Sequence, residues 1–160
     1  PAFEGGSFAV IDHSSFISRL FAEGKLPRSA MQSERVVWHD PCYLARQNGI
    51  VRAPREVLAA VGSAEFDPAE CGANTLCCGA GGGQMWTDQK TQKKRFNVIR
   101  LESLQNTASQ CGASKIATGC PHCLTMLESA KPMVNGAQEL QVLDIAEVVA
   151  AKLPDEASPT

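Results

Sequence analysis

Long hydrophobic runs are missing from this sequence. Its uncharged apolar stretches fall far short of the roughly 20 residues that a membrane-spanning helix needs. A charge excess is missing too: 15 Lys and Arg stand against 17 Asp and Glu, for a formal charge of −2. Aromatic residues make up only 6%, with a single tyrosine. No basic stripe with interleaved aromatics appears, so no nucleic-acid partner is expected. The N-terminus carries no signal-peptide pattern, and no segment repeats in tandem. Cysteine, by contrast, is plentiful. Seven occur in 160 residues: Cys42, Cys71, Cys77, Cys78, Cys111, Cys120 and Cys123. With 44% apolar and 20% charged residues, the chain fits one folded domain of ordinary size and needs no staples merely to fold. An odd number of cysteines, gathered in motifs and without secretory features, points to metal binding or catalysis rather than to a disulfide framework.

Apolar periodicity alternates between strand and helix. FAVI (8–11) reads as a strand, followed by a helix over about 13–24 with Phe16, Ile17, Leu20 and Phe21 on one face. ERVVWH (34–39) reads as a buried strand, with a short helix starting at Cys42 and another at Pro54. Residues 62–83 read as loop, broken by Gly62, Pro68, Gly72 and the Gly79–Gly83 run. A long helix is predicted over about 88–110, with Leu101, Leu104, Ala108 and Cys111 on its apolar stripe. SKIAT (114–118) reads as a strand, 121–131 as a helix, Val142–Leu143 as a last strand and 144–153 as a last helix. This alternation predicts an α/β layered domain with short, mainly parallel strands flanked by helices. In such sheets ligands sit beyond the carboxyl ends of the strands. Both ERVVWHDPC and ASKIATGCPHC are strands that end in cysteine beside proline, so their cysteines should converge on one edge of the sheet, where a metal site is expected.

Three motifs carry chemistry. GCPHC (119–123) puts two sulfurs on one turn at a helix start, where backbone N–H groups and the helix dipole stabilise thiolates. Its readings are a metal or cluster site, a dithiol–disulfide redox pair or, blandly, two buried thiols. Too few residues follow Cys123 for a thioredoxin-like fold to be completed. CCGAGGG (77–83) holds adjacent cysteines, which cannot easily form an unstrained disulfide with each other. They can both ligate a metal group larger than one ion. Gly79, Gly81 and Gly82 would let the backbone approach such a group closely. A Gly-rich turn with incidental cysteines is the plain alternative; a phosphate loop lacks its GK[ST] ending. HDPCYLAR (39–46) sets Cys42 at a strand end. His39 is open to three readings: a further ligand, a hydrogen-bond donor to sulfur, or a capping or packing residue. Arg46 either offsets thiolate charge or is a plain surface arginine.

Taken together, HDPCYLAR, PREVL (54–58), CCGAGGGQMW (77–86), the Asn97 and Arg100 pair, CPHCL and VLDIAEVVA (142–150) resemble the cysteine-rich CCG domain. That domain occurs in heterodisulfide reductase B/D-type subunits. It also occurs in iron–sulfur oxidoreductases serving glycolate, lactate and electron-transfer-flavoprotein-linked electrons. The resemblance covers nearly the whole chain. It implies a noncubane [4Fe-4S] cluster held by Cys42, Cys77, Cys78, Cys120 and Cys123, with zinc in an equivalent site as the alternative. Two departures stand out: a longer gap before Cys120, and His122 where relatives carry an aromatic residue.

The expected function is therefore an oxidoreductase module for electron transfer, with disulfide reduction as a second possibility; no residue is singled out as catalytic. The competing classes are a structural or binding domain with a zinc–cysteine site and a CPHC dithiol oxidoreductase. Expected partners are other iron–sulfur domains, a flavoprotein electron partner, or a membrane quinone-linked partner reached through further regions. The expected location is cytoplasmic, including the soluble face of a membrane-associated reductase. Family members often carry two such motifs, so residues 1–26 are expected to be a linker after a preceding region, 27–153 the cysteine-rich domain and 154–160 a frayed tail. The chain would then be the C-terminal portion of a larger reductase. Cys71 and Cys111 fall outside the pattern and are expected to be structural. Met85 and Trp86 are expected to pack or form a lid over the cluster. His13 is expected to be a helix-start residue.

Overall fold

The computed structural model describes residues 5–29, 34–87 and 93–154. Its centre is a parallel sheet of four strands: β1 (Glu34–His39), β2 (Ser63–Phe66), β3 (Lys115–Thr118) and β4 (Gln141–Asp144). Their spatial order is β2-β1-β3-β4. β1 is central and nearly fully buried from Val36 to His39, as a strand covered on both faces must be. Its register pairs Val37 with Phe66 on one side and Ile116 on the other.

Among the described residues five α-helices complete the layers: α1 (His13–Ala22), α2 (Arg52–Ala60), α3 (Phe96–Cys111), α4 (Pro121–Ala130) and α5 (Ile145–Ala150). The period-2 alternation of a strand sorts β1 between two cores. Val36 and Trp38 face the cluster built from Phe21 of α1, Leu58 of α2 and Ile145 of α5. Val37 faces the other cluster, with Leu101 and Leu104 of α3 and Leu127 of α4. By the same alternation His39 falls on the α3 side. Burying each large aliphatic side chain stabilises the fold by about 1.5–3 kcal/mol.

Helix ends follow local chemistry. Asp12 caps α1, its Oδ1 accepting from Ser15 N at 3.0 Å. Asp144 and Glu147 form a capping box on α5, and Pro121 opens α4, where its missing N–H costs nothing. Gly112, at φ +69°, closes α3 in the left-handed conformation that glycine accepts readily.

Three local expectations are corrected. Residues 8–11 form no strand; Phe8 and Val10 are 75% and 86% exposed, because that segment pairs with neither edge of the sheet. Ser63–Phe66, expected within a loop, is β2; so short and charge-bearing a segment becomes a strand through pairing with β1. The long helix begins at Phe96 rather than near 88, and residues 88–92 lie outside the described residues. The short helix expected at Cys42 is present, and its middle is a π-helical turn, Tyr43–Gln47.

Candidate metal centre

β1 leads out to β2 on one side, and β3 leads to β4 on the other. The carboxyl ends of β1 and β3 thus flank the switch point of the sheet, where α/β domains place their sites. Asp40-Pro41-Cys42 leaves one strand and Gly119-Cys120 leaves the other. Between them opens a cavity of about 410 Å³, lined among others by Cys42, Cys78, Cys120 and Cys123. Cys77 lies on the neighbouring side of its loop, beside Arg46 and Arg100. It remains close enough for its charge to raise the thiol pKa of Cys42. All seven cysteines are free thiols. Cys71 starts a short turn at Gly72–Asn74 and Cys111 ends α3; neither lines the cavity.

The CCG loop is held in place by three charged residues that converge on Thr75, just before it. Thr75 is fully buried and its hydroxyl donates to Asp40 O at 3.0 Å. Arg46 donates to Thr75 O, so it is a loop clamp as well as a positive charge that opposes the rise in the Cys42 pKa. Arg100 reaches the Thr75 hydroxyl at 3.5 Å and Glu70 O at 3.1 Å. Asp40 in turn accepts from the Trp38 indole at 2.8 Å, from both Nη atoms of Arg55 at 2.9 and 2.8 Å, and from Gly72 N at 2.7 Å. Burial alone would raise the Asp40 carboxyl; these donors hold it below its usual value. Asp40 and Arg55 stand in the motifs HDPCYLAR and PREVL with no local sign of this role, because their pairing joins separate elements.

Of the glycines, Gly79 has the strictest requirement. Its φ is +87°, and a Cβ there would lie 3.0 Å from Phe96 Cβ and 3.2 Å from Asn97 N. Its close approach is therefore to the start of α3. Gly81 lines the cavity, whereas Gly82, at φ +64°, turns in open space. Asn97 fastens the start of α3 to α4, donating to Met126 O at 3.1 Å.

Two of the sulfurs, those of Cys78 and Cys120, are electrostatically prepared to carry charge. Cys78 is pulled down to about 4 by a hydrogen bond from Cys123, against burial, with help from His39 and the Ala80 N–H. Cys120, at the N-terminus of α4, is lowered to about 6 by the Cys123 thiol, with the N–H groups of Cys123 and His122 assisting. Cys123 is raised, since its proton is shared between Cys120 and Cys78. Cys42 is raised by burial and by the charges of Cys77 and Cys78. Gly79 N–H adds a bond to Cys77 Sγ at 3.3 Å. Met85 packs against the buried sulfurs, and Trp86, 82% exposed, stands at the rim with Tyr43 and His122. His13 does open α1, and its Nε2 also meets Asp144 Oδ1 at 3.2 Å.

Three separate segments thus deliver thiols to one edge of the sheet, and the profile of the family described as "Cysteine-rich domain" matches residues 36–128. The chain belongs to the cysteine-rich domain family. A "Probable membrane-anchored ferredoxin" of Chromohalobacter salexigens is 40% identical over 153 residues, covering 96% of this chain and 22% of that protein. A "Probable iron-sulfur-binding oxidoreductase" of Bacillus subtilis is 36% identical over 149 residues, covering 92% and 20%. A polypeptide of the dihydromethanophenazine:CoB–CoM heterodisulfide reductase of Methanosarcina barkeri is 29% identical over 147 residues, covering 91% and 34%. The chain therefore spans about a third or less of the length of these relatives. It is a domain of the kind that builds iron–sulfur oxidoreductases. Among the described residues no helix is long and apolar enough to cross a membrane.

Proposed function

We propose that this domain is an electron-transfer module of a larger, heterodisulfide-reductase-like oxidoreductase. Its noncubane [4Fe-4S] cluster would be held by Cys42, Cys77, Cys78, Cys120 and Cys123. The observation that carries this reading is the convergence of Cys42, Cys78, Cys120 and Cys123 on one cavity with Cys77 on the adjoining side of its loop, and backbone N–H groups directed to Cys77, Cys78 and Cys120. Such a donor set suits a thiolate-ligated iron–sulfur group, since N–H···S bonds and a helix N-terminus both favour negative sulfur. Adjacent Cys77 and Cys78 suit a group with more than one metal ion. None of the three relatives' names mentions zinc.

When bound, the cluster supplies reversible one-electron chemistry, or an iron site for a substrate sulfur. The chain's own contribution is positional. The Asp40–Arg55–Gly72 and Arg46–Thr75 contacts fix the loop before Cys77. The Cys123 thiol and the N–H groups at the α4 N-terminus favour the thiolate of Cys120. Met85 and Met126 keep water from the inner sulfurs. The apolar rim at Tyr43 and Trp86 leaves the outer side of the cavity open to a redox partner. That partner would be another iron–sulfur domain, a flavoprotein or a quinone-linked membrane protein, with this domain on the cytoplasmic, soluble face of the assembly. Residues 27–153 would form the cysteine-rich domain, and 1–26 its connection to a preceding region.

The test is anaerobic purification with iron, sulfide and zinc quantitation, visible absorption and EPR. Brown protein with about four irons and labile sulfide per chain is expected. Colourless protein with one zinc would replace this reading by a structural zinc site. A metal-free protein whose dithiol activity survives Cys42→Ser would leave a CPHC redox pair instead.

A further inference from the structure

His39 ends β1 with its ring fully buried, pointing by strand alternation toward α3. There Nε of the equally buried Arg100 donates to His39 Nδ1 at 3.0 Å. A guanidinium N–H can only donate, and arginine keeps its proton in proteins. His39 Nδ1 must therefore present its lone pair. An imidazolium carries hydrogen on both nitrogens and could not accept there, so the ring is neutral and its one hydrogen sits on Nε2. That Nε2 is buried and has no hydrogen-bond partner among the described residues. The sulfurs of Cys78 and Cys123 stand beside the ring: one donor atom from each of the three residues lies within 4.8 Å of the others.

Three such groups look like a metal site, but the tautomer rules that out for His39. An Nε2 that carries hydrogen has no lone pair to give to a metal. To ligate, the ring would have to lose its last proton in a buried pocket or break its bond to Arg100. Arg100 is itself anchored by Glu70 O and Thr75, so the ring has no freedom to exchange its nitrogens.

We propose that His39 is not a metal ligand but a fixed N–H donor to the Cys78 sulfur, locked in that tautomer by Arg100. It is thereby a positioning residue that raises the reduction potential of the metal centre. This rests on the cluster reading given above. A hydrogen bond to a ligating sulfur stabilises the more electron-rich, reduced state, and second-shell bonds of this kind tune metal centres strongly.

The experiment uses anaerobically purified, cluster-loaded protein, with metal analysis first. Electron–nuclear double resonance is recorded on the reduced protein labelled with ¹⁵N-histidine. A weakly coupled ¹⁵N together with an exchangeable proton is expected, both lost in His39→Leu. Redox titration should show His39→Leu shifted to lower potential, with the oxidised-to-reduced ratio at fixed potential changed about tenfold, which is about 59 mV for a one-electron couple. His39→Gln, which keeps a donor near the same place, should recover at least half of that shift. A large ¹⁵N coupling of a directly bound histidine overturns the proposal, as does an unchanged potential in His39→Leu. Should His39→Leu fail to fold, the wild-type resonance and the His39→Gln potential decide between donor and ligand. Iron-free, zinc-loaded wild type would sink the cluster reading first and this inference with it, and the metal analysis identifies that case separately.

Discussion

Asp40 and Arg55 are joined by two parallel hydrogen bonds of 2.8 and 2.9 Å, with the Asp40 side chain only 1% exposed. The pair ties the end of β1 to α2, and through Gly72 N to the turn that leads into the CCG loop. Asp40→Ala would strand the Trp38 indole and the Gly72 N–H as well as one face of Arg55. We expect a loss of about 3–5 kcal/mol of unfolding free energy, the usual cost of breaking one side of a buried pair. Urea unfolding measures it. A loss below about 1 kcal/mol would mean that the loop is held by other contacts.

The glycines of the CCG loop should respond unequally. Gly79→Ala places a methyl group against Phe96 and the Asn97 backbone at a positive φ, and should destabilise by about 1–3 kcal/mol. Gly81→Ala meets open space and should change the melting temperature little. Thermal unfolding of the two variants separates these outcomes. Equal melting temperatures would argue against the close approach of Gly79 to α3.

Glu65 predicts a pH dependence. Burial and then the charge of Asp67 raise its carboxyl to about 7, with Arg55 opposing. The folded chain therefore keeps a proton that the unfolded chain, near 4.5, has released. Stability should be complete below about pH 4.5 and fall as pH rises to about 7, by on the order of 1–3 kcal/mol. Glu65→Gln removes the titration and should flatten that slope. Urea midpoints between pH 5 and 8 give the comparison; parallel slopes in wild type and variant would refute the assignment.

Much of this architecture can be read from residues alone. β1 and β3 are legible because ERVVWH and SKIAT are apolar runs followed by punctuation at Asp-Pro and Gly-Cys-Pro. That placement also brings Cys42 and Cys120 to one edge. FAVI misleads because four apolar residues make a strand only where a partner edge is free. β2 is hidden because SAEF owes its extended form to pairing with β1. His39 could not be resolved between ligand, donor and packing residue, since its tautomer is set by Arg100, 61 positions away. The three-way clamp on Thr75 is invisible for the same reason: Asp40, Arg46 and Arg100 meet only after folding.

The cysteines should divide into two classes. Cys71→Ser and Cys111→Ser alter residues away from the cavity and should keep the iron content of wild type. Cys42→Ser and Cys120→Ser should lose at least half of it. Iron per chain after anaerobic purification reads this directly. Iron loss in Cys71→Ser equal to that in Cys42→Ser would require a different ligand set.

The most direct test of the whole account is diffraction from anaerobically grown crystals, with data collected on both sides of the iron absorption edge. The account predicts four iron peaks within the cavity between the ends of β1 and β3, reached by the sulfurs of Cys42, Cys77, Cys78, Cys120 and Cys123. A lone zinc peak there, or iron bound by only one cysteine-bearing segment, would contradict it.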